Sequence, residues 1–363
     1  MEIGVKELCG CTNSFAQLFA LERKQIAIMA DEKSPARISH RLFETSRSEM
    51  RISMKTSIDE RYIWLEGQVV NVNDAKINVL SPTSQFAVNV FEGIRCYWNE
   101  EKNQLYAFRL DDHYNRLEKS RKLLRIAEKY NNTQLKQAFI DVIRANEYKE
   151  DIAVRQTIFI DGFGSWSSTD SVNMFVAPIP KGKLSTEYNR KGLNCCISSW
   201  RRIDENSLSP RIKCGANYIN SRMAQLEAIN NGYDTAIFLN SSGNVAEAPG
   251  SCLFIVKDGK LITPSLTEGV LESITRDTVI HIAKDILKIE IEERVVNRTE
   301  LYTCDEAFLC GSAMEITPVY SVDHYNISNN SYGEISKRIH ELYLEIVTGK
   351  YVFRKEWLTE VYE

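Results

Sequence analysis

No stretch of the chain approaches the about 18 consecutive apolar residues of a membrane helix, and neither sign of charge dominates. Lys and Arg number 45 against 49 Asp and Glu, a formal charge of -4. The first absence excludes a membrane-spanning helix and leads to the expectation of a soluble, cytoplasmic protein. The second removes the electrostatic case for a nucleic-acid or membrane-surface partner. The nine cysteines include no CxxC pair and no Cys/His cluster with zinc spacing. Cys9 and Cys11 are one residue apart and Cys195 and Cys196 are adjacent; with no secretory signal, the set reads as reduced thiols. His40, His113, His281, His324 and His340 are scattered, so no metal site is expected. There is no internal repeat or low-complexity tract. GFGSWS (162–167) lacks the third glycine and following helix of a dinucleotide fingerprint and reads as a turn.

What is present is the composition of a folded, enzyme-sized protein, 43% hydrophobic and 26% charged. At about 150 residues per domain, 363 residues make two or three domains. Residues 1–57 are poorly periodic. Arg37, Arg41, Arg47 and Arg51 resemble a transit peptide, but Glu2, Glu7, Glu22, Asp31, Glu32, Glu44 and Glu49 oppose that reading. The segment reads as a tethered extension, with Met50 and Met54 as alternative starts.

From Ile58 the pattern is that of packed α/β structure. IWLEGQVV (63–70) predicts a strand with a turn at Glu66-Gly67. HYNRLEKSRKLLRIA (113–127) predicts a helix, with Leu117, Leu124 and Ala127 on one face. VRQTIFIDG (154–162) predicts a strand. The Lys/Gly/Pro-rich stretch 178–192 marks a linker, followed by the strand NCCISSW and a helix over 218–229. Asp258-Gly259 between CLFIV and LIT is a hairpin signal. Ser273 stands at an N-cap position before a helix carrying Val279, Ile282, Ala283 and Ile286 on one face.

Local context singles out one chemical group. Lys213, in RIKCGANY, is flanked by Ile212, Cys214, Gly215 and Ala216, a setting that desolvates an ammonium and favours the nucleophilic amine. The bland reading is a solvated surface lysine. The ordered set KCGANY, NVAEAPGSCLFIVKDGKLITP, VLESITRDTV and CDEAFLCGSAMEITPV changes the balance. It resembles the class IV aminotransferases, the fold-type IV pyridoxal-phosphate enzymes, and within them the branched-chain amino acid aminotransferases. Upstream, the FEGIR segment and HYNRLEKS extend the likeness, which covers about residues 60–350.

The resemblance implies an α/β (α+β) fold. It comprises a smaller α/β domain at 58–180, a linker at 181–192 and a larger domain with a barrel-like sheet at 193–363. The pyridoxal 5'-phosphate lies between the two domains. It implies that Lys213 is the catalytic lysine bonded to the cofactor and moving the substrate's proton. Tyr218 matches the residue against the cofactor's phenolic oxygen, and Glu247 the acid at its ring nitrogen, which keeps the ring an electron sink. Arg116, Ile274, Thr275 and Ser312 match the phosphate ligands, the helix N-terminus contributing free N–H groups, and Gly311 permits close backbone approach. Ser312 and Ala313 match donors to the substrate α-carboxylate. Arg155 matches the arginine that takes the distal carboxylate of glutamate, a task suited to a guanidinium fork. Phe91, Phe86 and Ala153 complete the substrate positions. The expected partners are an amino acid and a 2-oxo acid, within a homodimer or larger homo-oligomer.

Four positions depart from the family pattern. After the ring-nitrogen acid, the glycine is Ala248 and the asparagine is Cys252, and two pocket tyrosines are Ala153 and Phe86. The cofactor machinery is therefore expected intact and the substrate pocket rebuilt, for a branched-chain or a specialised, larger donor. Two other readings stand beside the transaminase: a lyase or D-amino acid aminotransferase of the same fold, and a non-catalytic descendant.

Overall fold

The computed structural model describes residues 60–183, 192–327 and 332–362. The extension 1–57, with Cys9, Cys11 and His40, and linker residues 184–191 lie outside the described residues.

The chain begins with β1 (Tyr62–Leu65) and β2 (Gln68–Asn71), joined at Glu66-Gly67. Both turn residues have positive φ, 53° and 100°, as a tight two-residue hairpin requires. After a short helix α1 (Pro82–Phe86) come β3 (Asn89–Asn99) and β4 (Gln104–Phe108). Two helices follow, α2 (Leu110–Leu123) and α3 (Asn132–Asn146), then β5 (Ile152–Ile160) and β6 (Val172–Pro180). The strands assemble into a seven-stranded antiparallel sheet, and α2 and α3 cover one face. Ile94, Tyr114, Leu117, Phe139 and Val154 form the core between them. α2 stops at Leu123, four residues short of the expected face. Arg125 adopts φ 55° and Arg121 caps the carbonyl of Ile126, which leaves Ala127 exposed. β6 runs to Pro180, so the first residues of the Pro-rich stretch 178–192 belong to the sheet.

The second sheet begins with β7 (Leu193–Ile197). Helix α4 (Asn217–Asn230) leads to β8 (Thr235–Ile237), and β9 (Cys252–Lys257) and β10 (Lys260–Pro264) form the hairpin at Asp258-Gly259. Helix α5 (Ile274–His281) continues as a π-type turn from Ile282 to Leu287. β11 (Ile291–Arg294), β12 (Glu306–Gly311), β13 (Glu315–Val322) and β14 (Tyr325–Asn326) complete the sheet, and α6 (Glu334–Val347) covers it. The eight-stranded order is β11-β10-β9-β12-β13-β7-β8, of mixed direction, with β14 on β13. Both of its faces are covered, by one cluster around Phe254, Phe308 and Ile339 and another around Leu253, Leu309 and Val319. That explains why CLFIV and AFLCG read as unbroken apolar runs.

The final strand, β15 (Leu358–Glu360), returns to pair with β4, so the 193–363 segment lends a strand to the first sheet. The described cysteines are free and buried, and no helix among the described residues is long and apolar enough to cross a membrane.

Phe139 is fully buried in the first core. Phe139→Ala should destabilise the protein by about 3–5 kcal/mol; a denaturant midpoint within error of wild type would refute this packing.

Candidate active site

A cavity of about 590 Å³, counted to its open mouth, is walled by segments remote in sequence. The first wall is the strand-and-helix layer of the antiparallel sheet. β3 carries Phe91 and Glu92 on opposite faces, since side chains alternate along a strand. Glu92 points into the core and meets α2. Arg116 grips it through two bonds, Nε to Oε1 at 2.8 Å and Nη2 to Oε2 at 2.6 Å, and His113 Nδ1 lies 2.7 Å from Oε2. Burial pushes the Glu92 carboxyl up, but the Arg116 charge and then His113 outweigh it and hold the group well below the usual carboxylate range. Burial likewise pulls the His113 imidazole below its ordinary value, against the opposing pull of Glu92. Arg116 Nη1 donates to the carbonyl of Glu272 at 2.9 Å, just before α5.

The second wall is the lysine segment. Cys214 bridges to Val90, the Phe91 N–H donates to the Lys213 carbonyl at 3.0 Å, and the Lys213 N–H donates to Ser120 Oγ at 3.1 Å. The backbone of Lys213 is thus fixed by β3 and α2, while its side chain is half-buried. Its Nζ lies 3.0 Å from the Tyr218 hydroxyl and 5.1 Å from the Phe91 ring centroid. The expected apolar surroundings are therefore only partial: the amine is held at the cavity by a hydroxyl and ring faces. Tyr218, the second residue of α4, is 37% exposed rather than a core tyrosine.

The third wall comes from the mixed sheet. Glu247 is 4% exposed. Its Oε1 meets Arg202 Nη2 at 2.6 Å, and its Oε2 accepts from the Leu271 N–H at 3.2 Å and lies 3.6 Å from Cys252 Sγ. Burial, then the neighbouring Glu247, push the Cys252 thiol well above its ordinary range, so it remains an S–H donor. Ser273 caps α5, accepting from the Arg276 N–H at 3.2 Å. Ile274 beside it lines the cavity, where the first-turn N–H groups have no intrahelical acceptor. Gly311 and Ser312 close this end. A Cβ on Gly311 would lie 3.2 Å from the Gly250 carbonyl, tight enough to press the two loops apart.

Of the residues singled out from the sequence, Lys213, Tyr218, Arg116, Glu247, Ile274 and Ser312 line this one cavity. Thr275 is buried behind Ile274, and Ala313 is exposed beyond Ser312. Arg155 lies cross-strand from Gly93, its guanidinium carbon 3.9 Å from the Phe91 ring centroid, with no salt bridge among the described residues. Ala153 shares that face, two residues along β5 and opposite Arg95, while Phe86 is 45% exposed at the end of α1. Sequence reasoning missed Arg202, Glu92, His113 and Ser120. Glu92 lies inside the FEGIR segment and His113 and Ser120 inside HYNRLEKS, both already singled out for their likeness. Arg202 carried no signal, because it acts through Glu247, far along the chain.

This donor set fits pyridoxal phosphate. One end offers free helix N–H groups and an arginine for a phosphate, the other a buried carboxylate for a ring nitrogen, and an amine lies between. Asn217, on the wall, adds a buried side-chain oxygen with no hydrogen-bond partner among the described residues, an atom that calls for a donor from a bound group or water.

Comparison with known proteins agrees. Residues 89–322 match the family model described as amino-transferase class IV. A probable branched-chain-amino-acid aminotransferase of Aquifex aeolicus is 39% identical over 314 residues, 85% of this chain and 100% of that protein. The Escherichia coli branched-chain-amino-acid aminotransferase is 37% identical over 304 residues, 83% of this chain and 97% of that protein. The crystal structure of the Thermobaculum terrenum branched-chain amino acid aminotransferase in its PLP form superposes with a TM-score of 0.80 at 43% identity. It covers 85% of this chain and 100% of that one. This chain belongs to the class IV aminotransferases. It is a pyridoxal-phosphate-dependent aminotransferase with the fold-type IV architecture, moving an amino group between an amino acid and a 2-oxo acid.

The Glu92 pair sets a pH dependence. Its folded pKa lies below the unfolded value of about 4.3, so its contribution is complete above that pH and is lost as pH falls below it. Glu92→Gln should cost about 3–5 kcal/mol at pH 7, as breaking a buried pair does, and should flatten the acid limb of the stability profile below about pH 4. Parallel profiles for variant and wild type would contradict this.

Proposed function

We propose that this protein exchanges the amino group of an L-amino acid with 2-oxoglutarate, through residues gathered in the single cavity. That gathering of Lys213, Tyr218, Arg116, Glu247, Ile274 and Ser312 from separate segments carries the reading. When bound, the cofactor supplies the electron sink for charge left on the substrate α-carbon. Lys213 bonds the cofactor and carries the proton between the substrate and the cofactor's reacting carbon, its amine held in place by the Tyr218 hydroxyl. Glu247 holds the proton at the ring nitrogen. Arg116, the Ile274 and Thr275 N–H groups and Ser312 hold the phosphate, and Ser312 and Ala313 receive the α-carboxylate.

Arg155 takes the distal carboxylate of glutamate. Its guanidinium is stacked on Phe91 and has no competing carboxylate among the described residues, which supports that assignment and the 2-oxoglutarate acceptor. The relatives named above are branched-chain aminotransferases, which supports transamination over a lyase and a branched-chain or a specialised, larger L-amino acid as donor. Ala153, at a position where the resembled family pattern has tyrosine, enlarges the donor side. The 58–180 and 193–363 segments act as two domains flanking the cofactor. The working unit is a homodimer or larger homo-oligomer: Phe86, Leu80 and Val79 are exposed apolar residues around α1, suited to cover by another copy.

Lys213→Ala should abolish turnover with the fold intact, because no neighbouring amine replaces it. Steady transamination above a trace by this variant would mean that another lysine serves. For the donor pocket, wild type should use leucine, isoleucine and valine less well than a bulkier or more polar donor, in a screen following glutamate formation. Ala153→Tyr with Phe86→Tyr should shift preference toward branched-chain donors by roughly ten- to a hundredfold in kcat/KM, the worth of a hydrogen bond to a carboxylate. A wide preference for leucine in wild type would sink the enlarged pocket.

A further inference from the structure

Arg201 and Arg202 are adjacent, yet the first is exposed and the second is 7% exposed on the cavity wall. Arg202 is anchored independently of any ligand. Its N–H donates to the Leu239 carbonyl at 2.9 Å, its Nε donates to the Gly269 carbonyl at 3.1 Å, and its guanidinium carbon lies 5.8 Å from the Phe238 ring centroid. Gly269 has φ 83°, and a Cβ there would lie 3.3 Å from Arg202 Cγ, so the carbonyl and the side chain are packed as one unit. From this fixed base, Nη2 reaches Glu247 Oε1 at 2.6 Å. Phe238 also ties the other end of the arrangement, its N–H donating to the Glu247 carbonyl at 2.9 Å.

The consequence is a division of labour between the two carboxylate oxygens. Oε1 is committed to Arg202. Among the described residues, Oε2 has only the Leu271 N–H at 3.2 Å and the Cys252 thiol at 3.6 Å, both weaker contacts than a charge-assisted bond at 2.6 Å. We infer that Arg202 is a positioning residue for the reaction: it clamps Oε1 of Glu247, supplies the counter-charge for a buried carboxylate, and so presents Oε2 to the ring nitrogen of the bound cofactor. This rests on the reading of Glu247 as the ring-nitrogen partner. A lysine keeps the charge but cannot bond the Gly269 carbonyl and Glu247 together through a rigid fork, which makes Arg202→Lys the informative change.

The test uses the full-length, cofactor-loaded protein and three variants, Arg202→Lys, Glu247→Gln and Arg202→Gln/Glu247→Gln. The visible absorption band of the bound cofactor, cofactor affinity, kcat and donor KM are measured for each. Arg202→Lys should move the absorption band in the same direction as Glu247→Gln, and lower kcat about tenfold with donor KM changed less than about twofold. Because Arg202 acts through Glu247, the double variant, which buries no unpaired charge, should match Glu247→Gln alone in band position and kcat. That comparison holds even where Arg202→Lys fails to fold. A wild-type band and kcat in loaded Arg202→Lys, whatever its melting temperature, leaves Arg202 a purely structural residue and overturns the inference. A further loss in the double variant beyond Glu247→Gln does the same. If Glu247→Gln itself keeps the wild-type band and kcat, the reading of Glu247 falls, and the inference with it.

Discussion

The two-bond pair between Glu92 and Arg116 is the constraint on which the site depends. Glu92 is wholly buried in β3 and Arg116 nearly so in α2, so each would be costly without the other. The fork geometry, with His113 on the same carboxylate, meets the condition under which such a pair is tolerated: the charges face one another and the lone pairs are used. The pair fixes how α2 lies on the antiparallel sheet. Through the Arg116 bond to the Glu272 carbonyl, it also fixes where α5 begins relative to that sheet. The free N–H groups of α5 are therefore placed by a charge pair formed in the other layer of the molecule.

The opposite end of the cavity follows the same design, with Glu247 against Arg202. Between the two pairs, the backbone of Lys213 is held by Phe91 and Ser120, leaving its side chain as the free part. On the proposed reading, in which this amine bonds the cofactor and moves a proton, it needs that freedom, while the charges around it gain from rigidity, because a preorganised field needs no reorganisation during reaction. The Phe91 ring joins these parts. It touches Tyr218, underlies the Lys213 amine and is stacked by Arg155.

What was legible in the sequence is what local chemistry dictates. Glu66-Gly67 and Asp258-Gly259 form the turns expected, because only a few residue types accept two successive positive φ values. Ser273 caps α5 because its side chain needs only its own third neighbour. The Lys213, Glu247 and Arg116 segments were legible through their family likeness, and the structure sets them around one cavity. The misses have a common cause. Arg202 looks the same as Arg201 in sequence, and what separates them is which faces the cavity and which faces water. Glu92 and His113 take their meaning from Arg116, 24 residues beyond Glu92. The end of α2 at Leu123 turns on a left-handed Arg125, and the return of β15 to β4 on packing some 250 residues away along the chain. No local pattern encodes such contacts.

The central claim is that this cavity holds pyridoxal phosphate on Lys213. Borohydride reduction of the loaded protein, followed by proteolysis and mass spectrometry of the peptides, tests it directly. The account predicts a single reduced phosphopyridoxyl adduct, on the peptide containing Lys213, formed in stoichiometric yield. A stoichiometric adduct on any other lysine, or none in a protein that still carries the cofactor's visible absorbance, would contradict it.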